Sequence, residues 1–496
     1  MPTSLKLSPK TSIERRGPPG AAKTGPSALA ATPPAMPAAP PLAFLPPRLD
    51  PRVLALSQRL LPLALRHGGA ITARQVVGGE RLVAAMQAFQ SGQSRLLLAF
   101  RHPSVSDPLC LAALLWLDLP RLARHQGVRL RPRPHAHFLY DRGIPLWAGA
   151  PVGWLLPRLG GSSIQRGKLD SAGLRSARAL LLEGRFPFAA APEGATNGHN
   201  ELVSALEPGV AQLAFWTADD LRKAGRSEAM TVLPIGVQYS WSRPIWGELE
   251  ALLGRLERQA GLPPATAEAG FLAARSATAA DPAHLYPRLL ALAERMLALM
   301  ERFYRDSYQK DLPDLDQPAD PNERLALRLQ RLLNAALEVV ETSFGLRANG
   351  DLTSRCRRLE QAGWDRLYPA GVEANGRCPL QRGLADRLAE ETERRLWHMR
   401  VVESFVAVSG RYVKEAPSPE RFADTLMLLW DTQCRLLGSD PGRRPQLGPR
   451  RVQLSIGEPI AVADRLDAYR SDRRAAVAAL TADLQRALEA LIVPSA

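Results

Sequence analysis

The stretch RVQLSIGEPI, residues 451–460, reads as a β-strand followed by a turn, yet helical sequence lies on both sides of it. A strand leaves backbone N–H and C=O groups unpaired along its edges, so it cannot stand alone. It must join a sheet formed elsewhere in the chain. The nearest sheet-forming sequence is at residues 96–240, where short apolar runs alternate with helical stretches in the pattern of a layered α/β domain. LLLAF (96–100), HFLY (137–140), SSIQ (162–165), FPFAAA (186–191) and TVLPIGVQY (231–239) are expected as strands. DPLCLAALLWL, LWAGAPVGWLLPRL, DSAGLRSARALLLEG and EPGVAQLAFWTADDLRKAG between them are expected as helices, with Gly184 and Gly225 at C-terminal caps.

Residues 241–449 have a different texture: long amphipathic helices and no strand pattern. In HLYPRLLALAERMLALMERFYRD the apolar positions 285, 289, 292, 296, 299 and 303 define one buried face. Residues 1–49 are rich in Pro and Ala, lack either periodicity, and are expected to be a disordered tail. The expected organisation is thus a tail (1–49), the first part of an α/β domain (50–240), an all-helical insertion (241–449) and a closing strand and helix (450–496). The expected fold class is α/β, with a mostly parallel central sheet flanked by helices and interrupted by that large insertion.

A formal net charge of +15 favours an anionic partner. Nucleic acid is not expected, because no motif interleaves basic and aromatic residues for base stacking. The four cysteines form no CxxC pair, which points to a reducing, cytoplasmic setting. No charge-free apolar run reaches eighteen residues, so membrane contact is expected to be peripheral. RVLALSQRLLPLALR, residues 52–66, reads equally as a membrane-surface helix and as a core-packing helix kinked at Pro62.

The chemistry centres on FRHPSVSDPLC, residues 100–110, where His102 precedes Asp107 by five positions just after an expected strand. In the plain reading Asp107 is the N-cap of a helix with Pro108 at its first position. In the functional reading Asp107 accepts the Nδ1 proton of His102, and Nε2 then removes a proton from an attacking hydroxyl. No G-x-S-x-G elbow occurs, which disfavours the α/β-hydrolase route. Ser104 and Ser106 are weaker candidates for a nucleophile. His135 and His137 form an H-x-H pair for which no third metal ligand is evident, so no metal site is expected.

Three further blocks follow: GGSSIQRG (160–167), APEGATNG (191–198) and VLPIGVQY (232–239). In this order, with HPSVSD before them and VQLSIGEPI after them, they resemble the glycerolipid acyltransferases related to bacterial 1-acylglycerol-3-phosphate acyltransferase. The resemblance covers roughly residues 75–240 and 450–495. It implies that fold, with His102 as general base, Asp107 as its partner, Arg166 as an acceptor-phosphate ligand, and Glu193, Gly194, Thr196, Asn197 and Pro234 about the acceptor. It also implies an acyl-thioester donor, coenzyme A or acyl carrier protein, a lysolipid acceptor at a membrane surface, and no further cofactor. The third block departs from the PEGTR of phosphate-using members, because Ala195 and Thr196 stand where Thr and Arg are typical. The competing reading is a noncatalytic adaptor built on a vestigial acyltransferase domain.

Overall fold

The computed structural model describes residues 42–165, 170–263, 282–312, 320–368, 378–403, 405 and 411–495. Arg166 and most of the expected tail fall outside them. The end of that tail is revised: Arg48 and Asp50 donate backbone hydrogen bonds of 2.8 Å to Pro157 and Arg158, which seat residues 48–50 on the body of the protein.

One eight-stranded sheet organises the chain. Its strands are β1 (Ile71–Val77), β2 (Ser94–Phe100), β3 (His137–Asp141), β4 (Gly161–Ile164), β5 (Phe188–Ala190), β6 (Ala229–Trp241), β7 (Arg450–Ile456) and β8 (Ile460–Ala461). They lie in the order β1-β7-β6-β2-β5-β3-β4, and β8 pairs with β6. β2 is parallel to both β5 and β6, and β3 to both β4 and β5. β7 runs antiparallel to β6 and parallel to β1, so the sheet is mostly parallel with a reversed side.

Centrality explains the sequence of β2. SRLLLAF is buried at every position, as a strand covered on both faces must be. Leu96, Leu98 and Phe100 enter one core, beneath helices Pro51–Gly68, Gly79–Gln90 and Asp107–Ala113. Leu97 and Ala99 enter the other, beneath Ser171–Glu183, Gly209–Lys223 and Arg473–Glu489. β1 was not expected from the sequence. Only Ile71 of ITARQVV is buried, so the strand has no regularly alternating buried face and is held in place by its ladder with β7.

Two expected helices are interrupted. The one beginning at Asp107 passes through a π-helical turn, Leu114–Asp118, into Leu119–His125. LWAGAPVGWLLPRL divides into Ile144–Ala148 and Ala150–Arg158 at Gly149, whose φ of 89° no helix tolerates.

Every described element between β6 and β7 is a helix. Trp246–Gln259 and Leu352–Leu367 accompany the long helices Pro282–Tyr308, Pro321–Phe344, Pro379–Glu403 and Pro419–Leu437. Along Pro282–Tyr308 the buried face follows Leu285, Leu289, Leu292 and Met296, then turns to Leu297, Met300 and Tyr304. Leu299 and Phe303, expected inside, are instead 39% and 40% exposed. The helix changes partners midway, from the core around Trp246–Gln259 to the one around Pro321–Phe344, and its contact face rotates with them.

The H-x-H pair is structural. His135 accepts from the Trp116 indole N–H at 3.1 Å and donates from Nε2 to the Leu159 carbonyl at 2.8 Å. That pattern requires the neutral ring. Burial pushes its pKa down to about 4, and the same holds for His398, enclosed by Tyr304 and Tyr308. The unfolded rings protonate near pH 6.5 and the folded ones near 4. Stability from these two groups is therefore complete above pH 6.5 and is lost as pH falls towards 4. Between pH 7 and 5, each should cost about 2 kcal/mol of unfolding free energy. Urea titrations of wild type and His135→Gln at both pH values check this; an equal drop in the two proteins would contradict it.

Candidate active site

Parallel pairing of β2 with β5 brings their carboxyl ends side by side, the edge at which open α/β sheets place ligands. His102 stands two residues beyond β2, and Glu193 three residues beyond β5. The two loops are clamped together. Glu193 accepts from the His102 backbone N–H at 2.7 Å, from the Asn197 side-chain amide at 2.7 Å and from Ser204 N–H at 3.0 Å. Asn197 N–H donates to the His102 carbonyl at 3.1 Å.

Of the two readings of the His102–Asp107 pair, the N-cap one is excluded, and the hydrogen bond that the other requires is present. His102 Nδ1 lies 2.9 Å from Asp107 Oδ2. A carboxylate only accepts, so the ring donates there and Nε2 is left as an acceptor. Asp107 is not the N-cap. Ser106 holds that position without a side-chain capping bond, while the Asp107 carboxylate turns back to take Ser104 N–H at 2.8 Å. Its other oxygen accepts from the Tyr239 hydroxyl.

Asp107 is fully buried, and the His102 side chain keeps 21% of its surface exposed. One end of the ring is anchored and the other faces out. Burial and the adjacent carboxylate hold the Tyr239 phenol well above its ordinary pKa, so it stays a donor. Burial also pushes the Cys110 thiol, 3.3 Å from the Tyr239 oxygen, up to about 12. Neither group is equipped to remove a proton from a substrate.

A hydroxyl already occupies the outward position. Thr196 Oγ1 lies 3.2 Å from His102 Nε2, where an attacking alcohol would donate its proton. Ser104 and Ser106 are elsewhere: the Ser104 hydroxyl accepts from Ser106 N–H at 3.3 Å, and the Ser106 hydroxyl from Arg450 at 3.1 Å.

Several expected acceptor-site residues have other parts. The Glu193 carboxylate is 4% exposed and is occupied by the loop clamp. Asn197 spends its amide N–H groups on Glu193 and the Leu202 carbonyl and its oxygen on His199 N–H. Both are positioning residues. Gly194 has φ 73°, a left-handed conformation that favours glycine, and a Cβ there would push aside the Glu207 carboxylate. Pro234 is buried within β6, in register with Ala99, and its carbonyl accepts from Gly457 N–H at 2.9 Å. It belongs to the sheet rather than to the cluster around His102. Arg166 lies outside the described residues.

Sequence reasoning missed the outer supports. Arg101, 1% exposed, donates to the carbonyls of His199, Asn200 and Leu202 at 2.6–3.1 Å and fixes the loop after the clamp. Asn200 and Asp424 hydrogen-bond to each other, tying that loop to helix Pro419–Leu437. Helix Leu352–Leu367 supplies Arg357, whose guanidinium lies 2.7 Å from the Glu207 carboxylate beside Gly194. The adjacency of Arg101 to His102 was the one available signal, since a charge flanked by a buried strand needs acceptors close by.

Among the described residues no group of three or more His, Cys, Asp or Glu is placed to hold a metal ion. The arrangement is an imidazole oriented by a buried carboxylate, with its free nitrogen presented to a hydroxyl at the mouth of a parallel sheet. No family model matches the chain, and no curated protein matches it.

Proposed function

We propose that the protein is an O-acyltransferase that moves a fatty acyl group from an acyl thioester to a hydroxyl of a glycerol-based lipid such as lysophosphatidic acid. The observation that carries this reading is the pairing of His102 Nδ1 with buried Asp107 while Nε2 faces a hydroxyl. The block order HPSVSD, GGSSIQRG, APEGATNG, LPIGV supports it by resemblance to the glycerolipid acyltransferases. In this reading residues 241–449 are a helical insertion in an acyltransferase-like domain. The donor is acyl-coenzyme A or acyl carrier protein.

The acceptor hydroxyl displaces Thr196 from His102 Nε2 and gives up its proton as its oxygen attacks the thioester carbon. Asp107 steadies the imidazolium that forms. The tetrahedral intermediate then expels the thiolate, the C–S bond breaks, and the proton on Nε2 passes to sulfur. No acyl-enzyme is formed. Arg166 fits the role of phosphate ligand through its bidentate guanidinium.

The same proposal places the enzyme in the cytoplasm, in peripheral contact with a membrane. No described helix is long and apolar enough to span one. Helix Pro51–Gly68 buries Leu54, Leu61 and Leu65 and turns outward Leu56, Leu60 and Leu63, which are 55%, 49% and 57% exposed. Those three positions form one stripe, and exposed Arg52, Arg59 and Arg66 run along its flank. Apolar surface edged by arginine suits an anionic bilayer. The helix also packs against the one that starts at Asp107, which sets the stripe close to the catalytic loop.

His102→Ala should lower acyl transfer from acyl-coenzyme A or acyl carrier protein to lysolipids by roughly 10²-fold or more with the fold unchanged. Near-normal turnover in a mass-spectrometric assay would refute the mechanism. Thr196→Ala should retain turnover, because the hydroxyl that reacts belongs to the substrate; its loss together with disappearance of a trapped acyl-protein would make Thr196 the nucleophile. Replacing Leu56, Leu60 and Leu63 together by serine should weaken sedimentation with anionic vesicles by at least tenfold, at about 0.8 kcal/mol for each buried methylene lost. Unchanged sedimentation would remove the docking role.

A further inference from the structure

We propose that the helical part of the chain holds a separate binding cavity for the end of one hydrocarbon chain. The cavity, about 90 Å³, opens between helices Pro282–Tyr308, Pro321–Phe344 and Pro419–Leu437. Its walls are mostly apolar, among them Leu289, Met296, Leu329 and Leu428.

The few polar side chains in the wall have already spent their hydrogen bonds on the protein. The Tyr286 hydroxyl donates to Asn322 at 2.7 Å, Thr425 to the Arg421 carbonyl at 2.9 Å, and Tyr412 to Asp424 at 2.8 Å. A water molecule needs two to four polar partners to be held, and these walls offer it poor ones. An apolar occupant meets no such demand. The volume is about three-fifths that of an engineered apolar cavity of roughly 150 Å³ known to bind benzene. It accommodates a few methylene groups and excludes a headgroup. Met296 and Met300, unbranched and polarisable, line it with side chains that adjust to a variable guest.

One wall residue reaches the catalytic loops. The Tyr412 ring meets the His199 ring edge-on at 5.1 Å, and its hydroxyl accepts from Glu201 N–H at 3.3 Å. His199 N–H donates to Asn197 at 2.9 Å, and Asn197 N–H to the His102 carbonyl at 3.1 Å. A guest that presses on Tyr412 therefore touches the frame that carries the catalytic ring. That the chain is a fatty-acyl one rests on the acyltransferase reading; that it is a hydrocarbon rests on the cavity alone.

The test is isothermal titration of the full-length protein with n-alkanoates of two to ten carbons. Affinity should rise about fourfold per added methylene, the equivalent of about 0.8 kcal/mol each, and level off once the cavity is full. Ala293→Phe and Leu329→Phe each fill the space from a partly buried wall position and should weaken binding of the longest tight ligand at least tenfold, with cooperative melting retained in at least one of them. Absence of alkanoate binding, absence of chain-length dependence, or wild-type affinity in a folded filled variant would overturn the proposal. His102→Ala separates the two proposals. Its alkanoate binding should equal that of wild type even if no acyl transfer is found in either protein, whereas transfer without cavity binding would leave the enzyme reading standing and remove this one.

Discussion

A carboxylate sealed from water is tolerable only when donors fill its lone pairs, and Asp107 collects three of them from two parts of the chain. The His102 ring and Ser104 N–H come from its own loop, and the Tyr239 hydroxyl from β6. Remove the imidazole and a buried charge loses a partner; remove the carboxylate and the ring loses its orientation. The His102 loop is therefore held in shape by the same bonds that orient its ring. Tyr239 extends this dependence into the sheet, because its position is set by a ladder shared between β6 and β7, where it faces Val452.

The β7 strand links the end of the chain to the site. Arg450 begins it, donates to the Gly69 carbonyl at 2.7 Å and to Ser106, and lies with its guanidinium 4.7 Å from the Tyr239 ring centre. The loop that carries His102 is thus braced by a residue more than three hundred positions away in sequence. The helices enter through a second set of contacts, in which Asp424 joins Tyr412 to Asn200 while Arg421 holds Glu201 at 2.8 Å. Burial pushes the Asp424 pKa up, and its hydrogen bonds to Asn200 and Tyr412 answer the cost of placing it there.

The sequence was legible where periodicity and polarity spoke together. Buried β2 and long β6 announced themselves by apolar runs, and His102, Asp107 and Glu193 by their places just beyond expected strands. β1 was illegible because ITARQVV, though it holds Ile and Val, sustains no alternation of apolar and polar positions. The face of Pro282–Tyr308 was misread beyond Met296 because a repeat shows only that some face is covered, and the covering helix changes along its length. The separate parts of Glu193 and Asn197 were equally hidden. Sequence places a carboxylate and an amide at a sheet edge, but only the folded loops reveal that their hydrogen bonds are spent on each other and on neighbouring backbone.

The long helical excursion between β6 and β7 is compatible with this precise site for a simple entropic reason. Closing a loop costs only about 0.6 kcal/mol more for each doubling of its length. Trp241, at the end of β6, pairs with Arg450, at the start of β7, so both ends of the excursion meet in one ladder. The ladder fixes the sheet whatever the intervening helices do, and those helices are free to differ in packing and to acquire a cavity of their own. Among the described residues, Asp424, Tyr412, Arg421 and Arg357 tie those helices to residues 199–207, the loop that follows the clamp on His102. A rigid sheet with a loop frame bonded to a helical neighbour can keep the imidazole in place while letting that neighbour bias the frame.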